Sequence, residues 1–329
     1  MNICRTVALT VGLIAAFGSA QAACDRMEKV VAVWLPIMQT TAYYVALEEG
    51  LFEKACVEIV SNKLEAPNQI IDALVGARAD FGPPGAAAGI AMLAESRFEG
   101  TFKVFGLQGG GIKAGLINDG LIVKPDSTIK SFADLKGKKL GHIPGIQWRT
   151  ISRYMVRSGG LDPDKDVTLV DLAVGMQVPA VVGGSVDATL SLEPVGSIAV
   201  ASGQAKRAIT NPVAMVIADP FYSGVSLLTT KFLKERPQVA KKIVEAIDEA
   251  TRLANADFDK YKKIIPKYTP IRGDQLDLLA KPYLRAFAEL NETDLNSYQA
   301  LVDVFQKEGV LQSKIDVREK ILKKNDFGS

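Results

Sequence analysis

The stretch KKLGHIPGIQWRTISRYMVR (Lys138–Arg157) places a short apolar run directly before a helical pattern. The run Lys139–Ile143 is typical of a buried strand, and the apolar residues within Gln147–Arg157 recur at helical spacing. A strand that leads directly into a helix is the repeating unit of parallel sheets covered by helices. The stretch therefore predicts an α/β fold, and it contains His142, the only histidine of the chain.

The same alternation of strand and helix is found on both sides of this stretch. Four strands with helices between them predict one open, mostly parallel sheet, and the series that follows Gly109–Gly120 predicts a second one. Further strands are predicted at Glu28–Trp34, Val57–Val60, Ala79–Phe81, Phe102–Leu107, Leu121–Val123, Thr168–Leu172 and Ala188–Ser191. Further helices are predicted at Thr40–Phe52, Pro67–Gly76, Gly85–Ala94, Gln177–Gly183 and Val195–Ala201.

The last third of the chain is richer in helical patterns. Apolar residues recur at helical spacing from Val239 to Leu253, and Pro237 suits the first turn of that helix. Helical patterns are also present around Asp274–Leu290, where Pro282 is expected to kink or split the helix, and at Asp294–Lys307. These helices need a surface to pack on, and a return of the chain to the first sheet would supply one.

The first 22 residues have the pattern of a secretory signal peptide. A single basic residue, Arg5, precedes an apolar run and the small-residue cleavage site Ala20–Ala22. The apolar run is shorter than the ~20 residues that a membrane-spanning helix needs. We expect cleavage after Ala22 and export to the periplasm. A lipoprotein acylated at Cys24 is the alternative, although Gln21 stands where a lipobox has an aliphatic residue.

Two cysteines, Cys24 and Cys56, remain after the predicted cleavage. Each lies shortly before a predicted strand, so the two sulfurs would start at the same edge of the sheet if those strands are parallel neighbours. An oxidising compartment favours a disulfide between them. The alternative is two unpaired cysteines that act as small hydrophobic residues.

The residue types that catalysis requires are scarce. The 329 residues carry a formal net charge of +2, which gives no electrostatic case for nucleic acid as a partner. A hydrolytic triad would depend on His142 alone, and no G-x-S-x-G motif is present. The segment GGGIKAG (Gly109–Gly115) lacks the hydroxyl residue of a phosphate-binding loop, and no metal-binding motif occurs. We therefore expect no catalytic residue, no cofactor and no metal.

Five segments of the chain resemble the solute-binding proteins of ABC importers, in the branch that binds sulfonates, taurine, nitrate and thiamine precursors. One departure is Cys56, which stands where that family usually has a glycine before its second strand. The matching segments are YYVALEEGLFEKACVEI (Tyr43–Ile59), IIDALVGARADFG (Ile70–Gly82), SFADLKGKKLGHIPG (Ser131–Gly145), VPAVVGGSVDATLSLEP (Val178–Pro194) and TTKFLKERPQVAKKIVEAIDEA (Thr229–Ala250).

The resemblance implies the type II periplasmic binding protein fold, with two α/β lobes and a ligand cleft between them. It places residues 23–118 and 225–329 in lobe one and residues 119–224 in lobe two. It implies a monomer that captures a small molecule by closure of the lobes and delivers it to a membrane permease with a cytoplasmic ATPase. The alternatives are an exported binding subunit of a sensor and a secreted enzyme that uses His142.

Ligands in open parallel sheets bind beyond the carboxyl ends of the strands, and this rule selects a few loops. Arg149 lies in the first turn of a predicted helix, where a cation opposes the helix dipole, so a bound anion would account for it. A solvated arginine or a pair with Glu193 is the alternative. Trp148 could stack on a flat ligand, whereas His142 is expected to have a structural role.

The other candidates lie in the remaining strand ends. The turn Pro83–Ala86 is expected to open a helix whose free N–H groups can meet an anionic or acceptor group; a plain tight turn is the alternative. Helix capping competes with ligand binding at Thr40, and core packing competes at Trp34. The set predicts a small organic ligand with an anionic or acceptor-bearing end. The candidates are Trp34, Met38, Gln39, Thr40, Pro84, Gly85, Ala86, Gln147, Trp148, Arg149, Glu193 and Tyr222.

Overall fold

A computed structural model describes residues 24–328 of the chain. The predicted signal peptide lies outside the described residues. Within residues 24–328, no helix is both long enough and apolar enough to cross a membrane. The described residues form two β-sheets, each flanked by helices, which confirms the α/β fold with two lobes.

The eleven strands of residues 24–328 divide into a sheet of six and a sheet of five. The sheet order is β11-β4-β10-β3-β1-β2 in lobe one and β7-β6-β8-β5-β9 in lobe two. The strands are β1 (Glu28–Trp34), β2 (Val57–Lys63), β3 (Phe81–Ala87), β4 (Phe102–Gly110), β5 (Asp119–Val123), β6 (Lys138–His142), β7 (Val167–Asp171), β8 (Ala188–Leu192), β9 (Lys206–Thr210), β10 (Phe221–Thr229) and β11 (Tyr283–Arg285).

Helices lie between most consecutive strands. The α-helices are α1 (Thr41–Glu48), α2 (Leu51–Lys54), α3 (Pro67–Val75), α4 (Ala88–Glu95), α5 (Ile146–Ser158), α6 (Gln177–Gly183), α7 (Val195–Ala201), α8 (Pro212–Val216), α9 (Thr230–Glu235), α10 (Pro237–Ala256), α11 (Phe258–Tyr261), α12 (Glu292–Lys307) and α13 (Val317–Lys320).

Both sheets are mixed, whereas the sequence predicted mostly parallel ones. Strand β1 is parallel to β2 and β3, and β6 is parallel to β7 and β8. Strand β10 is antiparallel to β3 and β4, and β5 is antiparallel to β8 and β9. The physical reason is the double passage between the lobes. Strands β5 and β10 are the first strands after each crossing of the chain from the other lobe. Each begins at the cleft edge of its sheet, where the parallel strands end, and is therefore antiparallel to them.

Two predicted helices are wrong in their position or type. The segment Pro83–Ala86 does not open a helix, because it belongs to β3, and the helix that follows begins at Ala88. The segment Asp274–Leu290 contains two short 3-10 turns and the strand β11, which pairs with β4. Pairing of Tyr283–Arg285 with the edge of the first sheet overrides the local helical pattern there.

The predicted disulfide is confirmed. Cys24 and Cys56 are bonded, with their Cα atoms 5.5 Å apart, and Glu28 and Val57 are register partners in the parallel pair β1 and β2. Cys56 has a φ of 62°, the left-handed region that favours glycine. This backbone conformation accounts for the glycine that related sequences usually have at this position.

One hydrophobic cluster, called the shared core below, contains buried side chains of both lobes. Helix α12 packs against α4 and β10 of lobe one and also against α5 of lobe two. A Cβ atom added to Gly89 would lie 2.3 Å from the Phe305 ring, so only glycine lets α4 approach α12 this closely. Helices α5 and α12 both contribute buried side chains to this cluster: Trp148, Ile151 and Met155 from α5, and Tyr298, Leu301 and Phe305 from α12.

Candidate ligand-binding site between the lobes

Gln147, in the first turn of α5, joins the two lobes by two hydrogen bonds. Its Oε1 accepts from the backbone N–H of Gly89 at 2.8 Å, and its Nε2 donates to the carbonyl oxygen of Ser223 at 3.0 Å. Gly89 lies in the first turn of α4, where backbone N–H groups have no partner within the helix. The side chain is buried, so each of these bonds forms away from competing water.

An apolar groove opens beside Gln147. It has a volume of about 420 Å³ and lies between the start of α3, the start of α4 and the start of α5. Trp148 forms part of its wall and is 5% exposed, because most of its ring is packed in the shared core. The lining residues are Ala66, Pro67, Asn68, Ala87, Ile90, Pro144, Gly145, Ile146, Gln147 and Trp148.

A second bridge between the lobes is a buried chain of polar side chains. Gln39, which follows β1, donates from Nε2 to Asn118 Oδ1 at 3.2 Å. Asn118 donates from Nδ2 to Asp119 Oδ2 at 2.8 Å, and the backbone N–H of Val213 donates to Asp119 Oδ1 at 3.2 Å. Burial raises the pKa of the Asp119 carboxyl to about 6, although both hydrogen bonds oppose the rise.

Glu193 belongs to a buried ion pair, and its partner is Arg207, not Arg149. The Glu193 carboxylate also accepts from the backbone N–H of Ser197 at 3.2 Å, and Arg207 Nη2 donates to Ser197 Oγ at 3.0 Å. A Cβ atom on Gly196 would lie 3.1 Å from Glu193 Oε1 and 3.2 Å from Arg207 Nη2. Gly196 therefore leaves room for the ion pair. The alternative pairing of Arg149 with Glu193, which the sequence left open, is wrong.

Arg149 lies at the rim of lobe two. Its Nη2 donates to Asp171 Oδ2 at 2.6 Å, and its side chain is 51% exposed. His142 is fully buried, and its Nδ1 lies 2.8 Å from the carbonyl oxygen of Ile143. A carbonyl only accepts, so Nδ1 carries the hydrogen and Nε2 is an acceptor in the neutral ring. Burial lowers the pKa of His142, which favours this neutral form.

Most predicted candidates in lobe one are engaged in internal packing. Trp34 donates from Nε1 to Ser61 Oγ at 2.8 Å, and Thr40 Oγ1 donates to the carbonyl oxygen of Leu35 at 2.9 Å. Met38 is buried with Ile265 and Leu279 in a small separate cluster.

Tyr222 is also bonded within the protein. Its hydroxyl donates to Asp294 Oδ1 at 2.6 Å, and its ring stacks on Tyr283. Burial raises the pKa of Tyr222, and the bond to Asp294 raises it further, so the hydroxyl stays protonated. This geometry gives Tyr222 a structural contact that the sequence did not predict.

Gly85 lies next to Gln39 where β3 approaches the other lobe. A Cβ atom on Gly85 would be 2.8 Å from Thr40 Oγ1 and 3.6 Å from Gln39 Cβ. Its N–H donates to Gln108 Oε1 at 3.0 Å. Pro84, Gly85 and Ala86 are thus buried strand residues, and the structure places Gly85 next to Gln39.

Several buried side-chain polar atoms have no hydrogen-bond partner within the described residues. Buried polar groups are nearly always bonded, so these atoms call for a partner outside the chain, a water molecule or a ligand. The sequence did not predict Gln177, Ser191 or Arg207, and the strand-end rule could have selected Ser191. The atoms are Gln39 Oε1, His142 Nε2, Ser152 Oγ, Gln177 Oε1, Ser191 Oγ, Arg207 Nε and Thr230 Oγ1.

The titratable side chains Asp119, His142 and Glu193 contact other groups of the protein. Within residues 24–328, no group of three or more histidine, cysteine, aspartate or glutamate side chains could hold a metal ion. The Nδ1 of His142, the only imidazole of the chain, bonds the carbonyl oxygen of Ile143 and lies 3.5 Å from Asp171 Oδ1, and its Nε2 has no hydrogen-bond partner among the described residues. A general base must lie within hydrogen-bond reach of the group that it activates.

The chain matches a family model and several curated proteins at the level of sequence. The model of the family described as "NMT1/THI5 like" matches residues 37–260, which is more than half of the chain. A protein of Bacillus subtilis (strain 168) named "Putative aliphatic sulfonates-binding protein" is 27% identical over 228 residues, covering 66% of this chain and 65% of that protein. The alignment thus spans just under two thirds of that relative's length.

Two solved structures share the fold over nearly the whole chain. The periplasmic aliphatic sulphonate binding protein SsuA from Escherichia coli has a TM-score of 0.72 and 18% identity, covering 90% of this chain and 92% of SsuA. The desulfurization enzyme DSZB has a TM-score of 0.67 and 16% identity, covering 91% of this chain and 97% of DSZB. Identities this low establish a common fold and leave the activity to be argued from the residues.

Proposed function

The chain belongs to the NMT1/THI5-like family, and from this premise we propose that it is the extracytoplasmic solute-binding component of an ABC importer. It captures a small organic ligand in the cleft between its lobes and delivers the ligand to a membrane permease. The predicted signal peptide and the Cys24–Cys56 disulfide support export to an oxidising compartment. The signal peptide cut after Ala22, the monomeric state and the lobe boundaries at residues 118 and 224 stay predictions.

One observation carries the proposal. Gln39 and Gln147 bridge the two lobes, and the buried Gln39 Oε1 has no hydrogen-bond partner among the described residues. Such bridges form only when the lobes are together, so they contribute to closure. A ligand that bonds an unpartnered buried atom is stabilised, because leaving a buried polar group unpaired costs about 1–3 kcal/mol.

The ligand is proposed as a small organic molecule. The name of the Bacillus relative supports an anionic or acceptor-bearing end. The two features from which the sequence suggested such an end support it less, because Arg149 is paired with Asp171 and the segment Pro83–Ala86 lies inside β3. The apolar groove beside Trp148 supports an organic ligand over a bare inorganic ion.

A thermal-shift screen of sulfonates, carboxylates, pyrimidines and nitrate tests this function. A ligand at about 100 times its dissociation constant stabilises the folded chain by ~2.7 kcal/mol. Shifts with inorganic anions alone would refute an organic ligand. Recovery of the bound solute unchanged separates a binding protein from an enzyme of the DSZB kind. An adjacent permease and ATPase gene pair separates import from a sensor.

A further inference from the structure

The Asp119 carboxylate fixes the orientation of two buried amides. An ionised carboxylate only accepts hydrogen bonds, so the Asn118 group 2.8 Å from Asp119 Oδ2 must be the Nδ2 donor. Asn118 then turns Oδ1 towards Gln39, and the Gln39 group 3.2 Å away must be the Nε2 donor. Gln39 Oε1 is therefore left as a buried acceptor without a partner.

These three residues form a relay that crosses the boundary of the lobes. Gln39 is 5% exposed, Asn118 is 3% exposed and Asp119 is fully buried. Gln39 follows β1 in lobe one, whereas Asp119 begins β5 in lobe two. Water has little access to the relay, so its hydrogen-bond directions are set by its members and by whatever occupies the cleft.

Gln177 in lobe two presents a second unpartnered acceptor. Its Nε2 donates to the carbonyl oxygen of Leu190 at 3.5 Å, and a carbonyl fixes that end as the donor. Gln177 Oε1 is buried without a partner, as is Oγ of the adjacent Ser191. Ser191 pairs with Gly120 across the strands β8 and β5, directly beside Asp119 and its partner Leu192. Gln177 Oε1 and Ser191 Oγ thus lie near the same end of the lobe-two sheet as Asp119.

We propose that the cleft holds its ligand through an N–H or O–H donor directed at Gln39 Oε1, and that protonation of Asp119 reverses the polarity of this contact. The inference rests on the proposed solute-binding function and assigns the polar character of the solute. An ammonium, amidine, amide or hydroxyl group satisfies the acceptor. A sulfonate or carboxylate without any such donor leaves it unpaired and loses about tenfold or more in affinity.

The reversal needs one proton and no change of backbone. A protonated Asp119 donates from its O–H to Asn118 Oδ1, so Asn118 turns over and its Nδ2 donates to Gln39 Oε1. Gln39 then turns its Nε2 donor towards the ligand. The charged groups that face Asp119 are Glu193 and Arg207, which neutralise each other as an ion pair. The helices packed nearby, α7 and α8, contain no titratable side chain.

Matched ligand probes test the polarity. 3-Aminopropanesulfonate and propanesulfonate share a sulfonate and differ by one ammonium group, which supplies N–H donors. Butanamide and butanoate form a second pair, in which an amide N–H group replaces a carboxylate oxygen. Calorimetry at pH 7.5 should give about tenfold tighter binding for the donor-bearing member of each pair, and the preference should shrink or invert at pH 5.0. Equal affinity within each pair, or the same preference at both pH values, would overturn the proposal.

The Asp119→Asn variant is the matched control for the relay. An asparagine has the same shape and donates permanently to Asn118 Oδ1, so the variant at pH 7.5 should bind the probes as the wild type does at pH 5.0. It should also lack the pH dependence of the wild type. A variant that keeps the wild-type preference at both pH values refutes the role of Asp119.

A spectroscopic measurement reads the relay without any ligand. In the wild type, the ¹⁵N–¹H₂ signals of the Gln39 side chain should shift with the titration of the Asp119 carboxyl, and in Asp119→Asn they should stay constant. The Gln108 amide is an internal control, because Gly85 N–H and Ser226 Oγ occupy both of its ends. A Gln39 signal that ignores the Asp119 titration overturns the relay, whereas failure of every solute to bind counts against the proposed function instead.

Discussion

Gln147 Oε1 lies 2.8 Å from the backbone nitrogen of Gly89, and this contact ties the start of α5 in lobe two to the start of α4 in lobe one. The other end of the same amide bonds the carbonyl oxygen of Ser223 in β10. One buried side chain thus links a helix of lobe two to both a helix and a returning strand of lobe one. Arg149, at the rim, instead pairs with Asp171 within lobe two.

Replacing Gln147 with leucine should weaken ligand binding about tenfold, because two buried interlobe hydrogen bonds are lost at ~0.5–1.5 kcal/mol each. The dissociation constant for a solute found by the thermal-shift screen is the measurement. Gln204→Leu, at an exposed position of lobe two, is the matched control and should bind as the wild type does. Equal losses in both variants would mean that the bridge has no part in closure.

Replacing Arg207 with methionine should lower the free energy of unfolding by about 3–5 kcal/mol, because Glu193 is then a buried carboxylate without its cation. The side chains of Glu193 and Arg207 are 5% and 14% exposed. Urea denaturation provides the measurement. The double variant Glu193→Leu, Arg207→Met should recover part of the loss, since no unpaired charge remains.

The exposed pair of Arg149 and Asp171 is the natural comparison. Arg149→Met should cost less than about 1 kcal/mol, because water screens an ion pair at the surface. A loss as large as that of Arg207→Met would contradict the difference in burial between the two arginines. It would also mean that Arg149 contributes more to the folded protein than an exposed ion pair does.

The Cys24–Cys56 disulfide should contribute about 3–4 kcal/mol to stability, because it closes a loop with a sequence separation of 32 residues in the unfolded chain. Replacing both cysteines with serine should lower the urea midpoint accordingly. The reductant dithiothreitol should destabilise the wild type and leave the double variant unchanged. Equal stability of the two proteins would show that the loop is already restricted without the bond.

Asp119 should make the wild type less stable as the pH rises. Its folded pKa of about 6 lies above the ordinary value of 3.8, so the folded chain holds the proton more tightly than the unfolded chain. This contribution is fully present below pH 3.8 and is lost as the pH rises through 6. Between these values the slope reaches up to ~1.4 kcal/mol per pH unit.

Comparison with Asp119→Asn isolates that slope. Asp248, whose burial also raises its pKa to about 6, contributes equally to both proteins and cancels in the difference. The free energy of unfolding of the wild type should therefore fall more steeply from pH 4 to pH 7 than that of the variant. Parallel curves would mean that Asp119 titrates normally in the folded chain.

The strands and helices of the fold follow largely from local sequence patterns. The helix α6 (Gln177–Gly183) and the strand β1 (Glu28–Trp34) have the predicted bounds. The directions of β5 and β10 could not be predicted in this way, because they depend on where the chain crosses between lobes. The strand β11 depends on pairing with β4, which its own helical pattern opposes.

The candidate site was predictable only in part. Gln39 and Gln147 lie directly beyond strand ends, so the general rule for open sheets selected them. The rule does not select the segments that contain Asn118, Asp119 and Arg207. These residues lie near Glu193 only because of the register of β8, β5 and β9. The direction of each amide depends on its neighbour, which no local pattern encodes.

Small-angle X-ray scattering with and without a saturating solute tests the central claim most directly. If the chain is a solute-binding protein whose lobes close on a ligand, the radius of gyration should fall on binding, and the bound form should match the compact arrangement joined by Gln147 and Gln39. The same solute should no longer compact Gln147→Leu to this extent. Identical scattering curves with and without the bound solute would contradict capture by closure of the lobes.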